Sequence, residues 1–258
     1  MLHAYYSALF ALALLLAMIL MLEIGRRLGA RQRARDPTGA REGVSALEGA
    51  IFALLGLMLA FSFSGAATRF DARRLLLVQE ANAIGTAYLR VDLLPASAQP
   101  AIRDGFRRYV DSRLATYRAL PDLAAAEAEI TRSAQIQNEI WANAVAASRA
   151  GTAPHAVILF LPALNAVIDS LTTEVMTSRL HPPTVIFIML AVLAMASSLL
   201  AGYDMPGGQH RSWVHVLAFA GIMAASVYLI LDLEYPRVGL IRIDTFDQVL
   251  ADLRQSMK

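Results

Sequence analysis

The sequence predicts an all-α, polytopic membrane protein with four transmembrane helices and a helical extramembrane domain inserted between helices two and three. Three observations carry that reading. Hydrophobic residues make up 57% of the 258 residues and charged residues only 17%, against about 45–50% and about 25% in a soluble domain. Four stretches are long and apolar enough to cross about 30 Å of hydrocarbon. The region between the second and third of them has helical periodicity and charged faces. The resulting organisation is residues 1–64 for the first two spans and a basic connection, 65–183 for the extramembrane domain, 184–233 for spans three and four, and 234–258 for a C-terminal tail.

The spans follow in order. The first runs from about Tyr5 to Leu22, with Tyr5 and Tyr6 at the interface. A cleaved signal peptide carries its positive charge before the apolar run. Here Arg26, Arg27, Arg31, Arg33 and Arg35 come after it, so the segment is expected to be retained. The second span is expected from Leu47 to Ser64, the third from Thr184 to Ala201 and the fourth from Trp213 to Leu233. Tyr203, Trp213 and Tyr235 flank the last two, where amphipathic rings prefer to sit. The connection 23–46 holds six arginines against Glu23, Asp36 and Glu42. Dense positive charge beside the first helix places that connection in the cytoplasm and the middle region outside.

Prolines at 95, 100, 121, 154, 162 and 182–183 are expected to divide the middle region into helices. No strong turn signal interrupts the second span, so one helix is expected from Leu47 to about Leu94, roughly 70 Å at 1.5 Å per residue. Segment Pro100–Ala119 sets Ile102, Phe106, Tyr109, Val110, Leu114 and Tyr117 on an apolar stripe, with Arg103, Arg107, Arg108, Asp111 and Arg113 assigned to the other face. Residues 121–150 and 154–181 read as two further helices. Val238–Ile243 is the one strand-like segment, and Phe246–Leu253 a short amphipathic helix that docks on the middle domain.

The chemistry is defined mostly by exclusion. With no cysteine there is no thiolate metal site, disulfide or cysteine nucleophile, and five scattered histidines make no metal cluster. Serine-hydrolase, zinc-protease and nucleotide-binding motifs are absent, so no enzyme and no cofactor are expected. A net charge of +2, from 23 basic and 21 acidic residues, argues against a nucleic-acid partner. Two sets of residues stand out. Phe52, Gly56, Leu59 and Phe63 share one face of the second span, a pattern suited to a hydrophobic constriction lining a pore. Gly49, Ala53, Gly56 and Ala60 form a small-residue pattern that lets another helix approach. The second set is polar. Arg73 and Glu80 lie seven apart on one helix, followed by Asn82 and Arg90, while Asn165 and Asp169 lie four apart on an apolar one. They are expected to bind helices together, with Arg73, Arg90 or Arg179 partnering a buried Asn165–Asp169 pair.

The segment EGAIFALLGLMLAFSFSGAATRFDARRLLLVQEANAIGTAYLRVDLLP resembles the opening of the bestrophin-like domain family of bacterial membrane proteins, a domain of unknown function. Gly56, Phe61, Gly65, Arg69, Asp71, Arg73, Glu80, Asn82, Ala83, Arg90, Leu94 and Pro95 carry the resemblance, with LNAVIDS (Leu164–Ser170) and LDLEYPRVGLIRI (Leu231–Ile243) further on. It covers about Glu48 to Leu250. It implies a homo-oligomer in the lipid bilayer of the bacterial inner membrane, and an ion channel whose pore is lined by the second span. In bestrophins the middle region is cytoplasmic, whereas the arginine placement here puts it outside. The alternative is a non-conducting membrane protein whose extramembrane domain binds a partner or ligand.

Overall fold

The computed structural model describes residues 2–35, 44–149, 154–205, 213–237 and 239–257. Among them every regular element is helical: α1 (Leu2–Arg35), α2 (Val44–Arg90), α3 (Gln99–Ala119), α4 (Leu123–Arg149), α5 (Pro154–Ser178), α6 (Thr184–Asp204), α7 (Trp213–Glu234) and α8 (Asp244–Ser256), with one 3₁₀ turn at Val91–Leu93. The strand-like segment at 238–243 is not a strand: residues 239–241 bend, Ile243 N donates to the Pro236 carbonyl at 3.1 Å, and Val238 lies outside the described residues. A lone strand has no ladder partner for its backbone.

Proline and helix propensity explain most boundaries. Leu94 is extended ahead of Pro95, and Leu120 is extended ahead of Pro121, as the bulk of the following ring requires. Pro183 caps α6 and Pro236 follows α7. Two elements depart from expectation. First, α1 continues thirteen residues beyond Leu22, through the arginine block, because arginine is a good helix former and no proline interrupts it before Pro37. Second, Pro162 does not divide α5. A helical proline removes one backbone donor and crowds the preceding turn, and the Arg90 guanidinium donates to the Leu159 carbonyl at 2.6 Å in that turn.

The chain divides into two compact units. The first comprises Met1–Arg69 and His181–Tyr235, that is α1, the first half of α2, α6 and α7. Its core joins Leu14, Met18, Leu22, Leu55, Leu190 and Ala220 with their neighbours. The closest approach is between α1 and α6. A Cβ on Gly25 would overlap the Leu199 carbonyl, one on Gly29 the Tyr203 carbonyl, and one on Gly202 the Leu22 carbonyl. Arg33 then donates to the carbonyls of Tyr203 (3.2 Å) and Met205 (2.6 Å), satisfying the end of α6.

The second unit comprises Phe70–Leu180 and Pro236–Lys258. Ile84, Val91, Phe106, Ile140, Phe160, Leu164 and Leu250 are among its core residues, drawn from α2, the 3₁₀ turn, α3, α4, α5 and α8. Tyr88, Phe106 and Phe160 meet edge to face at centroid distances of 6.1 and 6.5 Å. The tail helix α8 carries Asp244 and Asp247 in its first turn and Arg254 in its last, which suits the helix dipole. It is tied to α3 by a bidentate Arg254–Asp111 pair at 2.8 and 3.1 Å.

Among the described residues, five helices are long and apolar enough to cross a membrane by length and composition: Tyr6–Arg35, Ala46–Leu93, His155–Ser178, Thr184–Asp204 and Trp213–Glu234. The additional one is α5, whose apolar length a reading focused on unbroken runs underestimates, because Pro162 and Asn165 interrupt it.

Candidate functional site

The α2 stripe divides between two environments. Leu55 and Ala66 are buried in the first unit. Phe52 is half-buried, and its ring meets Phe219 of α7 edge to face at 6.2 Å. Leu59 is also half-buried, against the same core. Gly56 and Phe63 are exposed, and nothing approaches a Cβ built on Gly56. At 100° per residue, Gly49, Ala53, Gly56, Ala60 and Phe63 fall within about a quarter-turn of one another, on a face uncovered by the rest of the chain. Among the described residues no helix packs on the small-residue pattern of α2, where a Cβ on Gly49 would also meet open space. The close contact is made instead at Gly25, Gly29 and Gly202.

A second cluster lies at the end of the same unit. Glu234 of α7 is buried, and Arg69 of α2 grips its carboxylate, with Nε at 2.9 and 3.1 Å from the two oxygens. His181 Nδ1 lies 3.7 Å from Glu234 Oε2, and its ring stacks on Tyr235 at 4.9 Å.

The second unit holds the principal polar site, and its composition differs from the sequence expectation. Glu80 is fully buried, but Arg113 is its partner. Arg113 Nε donates to Glu80 Oε1 at 2.7 Å and Nη2 to Oε2 at 3.2 Å. Tyr109 Oη donates to Glu80 Oε1 at 2.9 Å and accepts from Gln137 Nε2 at 3.1 Å. Arg113 also donates to Glu174 of α5 and to Tyr117 Oη, the latter at 2.6 Å, and Tyr117 donates to Glu174 Oε1 at 2.8 Å. Arg237 lies 3.9 Å over the Tyr117 ring and forms a bidentate pair with Asp247. One guanidinium thus ties α2, α3 and α5 together, and every oxygen named has a donor. Burial pushes the Tyr109 and Tyr117 hydroxyls above the usual phenol range, and the Glu80 charge adds to the effect. Burial works against the Arg113 charge, but Tyr117, Glu80 and Tyr109 outweigh it and hold the guanidinium above its ordinary value.

The remaining nominated residues take lesser positions. Arg73 is buried and donates from Nη2 to the Leu180 carbonyl at 3.1 Å. Asn82 is exposed. Asn165 and Asp169 are not a buried pair: both are exposed, and Asn165 Nδ2 donates to Asp169 Oδ2 at 2.9 Å. Their face of α5 is the one turned away from Phe160, Leu164, Val167 and Leu171. Sequence reasoning placed Arg113 on the polar face of α3. Its spacing of four from both Tyr109 and Tyr117, on the Phe106 stripe, was the signal that it points inward. Among the described residues no group of His, Asp and Glu has metal-binding geometry.

Long apolar helices, closely packed through glycine, together with a polar helical unit define a helical membrane protein. The chain belongs to the Bestrophin-like domain family, whose sequence profile matches residues 8–246. Solved structures with the same fold include a variant of a bacterial bestrophin homologue from Klebsiella pneumoniae, 17% identical, covering 95% of this chain and 97% of that one at a TM-score of 0.72. The same homologue, phased on zinc, is 16% identical over 95% and 98% of the two chains, with a TM-score of 0.65. A membrane protein carrying a proline-to-alanine change is 18% identical over 95% and 98%, with a TM-score of 0.66. Among curated proteins none matches the sequence.

Proposed function

We propose that the protein is a homo-oligomeric ion channel of the bacterial inner membrane, with the first half of α2 lining its pore. The observation that carries this reading is the composition of one exposed face of α2, whose opposite side is exposed too but carries bulky Leu54, Leu57 and Phe61. Within an apolar span the first of these faces presents small residues and one phenyl ring, and the chain itself packs nothing against them. Small residues admit an aqueous path, and a ring of Phe63 side chains gives a constriction that closes by dewetting. Phe52 and Leu59 are half-buried against their own protomer and flank this face of α2 at other levels along its axis. Membership of the Bestrophin-like family supports the same reading.

Four helices cross the bilayer in this account: α1, the first half of α2, α6 and α7. The apolar stripe of α5 packs in one core with α3, which carries seven charged side chains between Arg103 and Arg118, so α5 belongs to the extramembrane domain. The connection after α1 is cytoplasmic and that domain exterior, from the arginine block. Anion or cation flux from liposomes containing the purified protein tests the proposal. A flux that rises with protein content supports it, and none from a correctly assembled oligomer counts against it.

One observation favours the binding-module alternative. A cleft of about 340 Å³ in the second unit is lined by Tyr117, Arg118, Arg242, Asp244 and Asp247, within the size range of small-molecule sites. Thermal stabilisation by a polar metabolite, without flux, would favour it.

A further inference from the structure

The arginines that follow the first span are divided among three tasks. Arg26 and Arg27 share Glu23, at 2.9 and 2.7 Å. Arg33 is spent on the carbonyls of Tyr203 and Met205. Arg31 and Arg35 are exposed and have no partner among the described residues. Their position on α1 is not arbitrary. Gly25, Gly29 and Arg33 turn one side of the helix to α6. Leu16, Leu20, Ile24, Leu28, Arg31 and Arg35 lie on the opposite side, all exposed. At 100° per residue these six fall within about one-third of a turn. A single outward stripe therefore changes from leucine to arginine as α1 leaves its apolar stretch. Arg31 lies roughly 10 Å beyond Ile24 along the axis, enough to carry the stripe from hydrocarbon into a headgroup layer about 5–8 Å deep on each side.

We propose that Arg31 and Arg35, with Leu28 as apolar anchor, bind the headgroup of an anionic phospholipid whose acyl chains lie along Leu20 and Ile24. Charge selects the ligand, since two exposed guanidiniums one turn apart, without a partner among the described residues, offer a phosphodiester paired hydrogen bonds. The exposed leucines select a lipid over a soluble anion. The docking of α1 on α6 fixes the helix backbone that carries the two arginines, one turn apart, while their side chains are ordered only when the ligand binds. The assignment is independent of whether the protein conducts.

Native mass spectrometry of the full chain, released from micelles doped with equal phosphatidylglycerol and phosphatidylcholine, tests it. The wild type is expected to retain phosphatidylglycerol preferentially. In Arg31→Gln/Arg35→Gln that preference should fall by at least roughly five-fold, the effect of about one arginine at a membrane surface. Arg31→Lys/Arg35→Lys should keep most of it, which guards against a variant that simply misfolds. An unchanged preference in the glutamine variant, or no preference in the wild type, would overturn the proposal. So would displacement of the lipid by excess inorganic phosphate, which would identify a simple oxyanion site.

Discussion

Arg113 of α3 and Glu80 of α2 form a buried ion pair across 33 residues of sequence, with Nε–Oε1 at 2.7 Å and each side chain 1% exposed. Two charges out of water are tolerable only where their hydrogen-bonding capacity is met. Tyr109, Tyr117 and Glu174 meet it here. The pair is therefore a cross-brace of the second unit, and its loss has a defined cost.

Removing one partner leaves the other charge buried and uncompensated. Glu80→Ala or Arg113→Ala should destabilise the protein by about 3–5 kcal/mol. The double variant Glu80→Ala/Arg113→Ala should cost less than the two single losses combined. Denaturant or thermal unfolding in detergent measures all four forms. Additive losses would show that the two groups act separately.

Alkaline pH should weaken the same unit. Tyr109 and Tyr117 have folded-state values raised by burial. Their contribution is complete below about pH 10, the value for an unfolded tyrosine. Above it the unfolded state releases protons first, and the stabilisation drains away as pH rises towards the folded values. Melting temperature between pH 8 and 12 should fall above 10, and less steeply in Tyr109→Phe/Tyr117→Phe.

Close packing of α1 on α6 predicts a contrast among glycines. Gly202→Val places atoms where the Leu22 carbonyl already lies and should cost about 1–3 kcal/mol or disrupt folding outright. Gly49→Ala meets open space and should leave the melting temperature within a degree or two of wild type, with a small gain from helix propensity.

These contrasts show where sequence reasoning reached. Length and hydropathy located α1, α2, α6 and α7, because a bilayer demands apolar length and little else. The 47-residue continuity of α2 was legible from the lack of turn residues after Ser64. The partners of Glu80 were not. A helix-period argument pairs residues along one helix, as with Arg73, whereas burial pairs them between helices, as with Arg113. Asn165 and Asp169 misled for a related reason: an apolar helix was taken as buried all round, while one face of α5 is open. Carbonyl contacts at Gly25, Gly29 and Gly202 leave no hydrophobic signature at all.

The orientation can be read directly, since the chain has no native cysteine. Gln32→Cys and Glu127→Cys are both exposed positions. An impermeant thiol reagent on intact cells should label Glu127→Cys only. Labelling of Gln32→Cys alone would reverse the assignment and place the middle domain in the cytoplasm.

Single-channel recording of Phe63→Ser in planar bilayers tests the central claim most directly. Phe63 is exposed on the uncovered face of α2, and Leu54, nine residues earlier, is exposed on the opposite side. If Phe63 lines a hydrophobic constriction, a hydroxyl there lowers the barrier to ions. Conductance or open time should then rise several-fold over wild type, while Leu54→Ser leaves both unchanged. Equal currents from Phe63→Ser, Leu54→Ser and wild type, or no current from any of them as intact oligomers, would contradict a pore lined by α2.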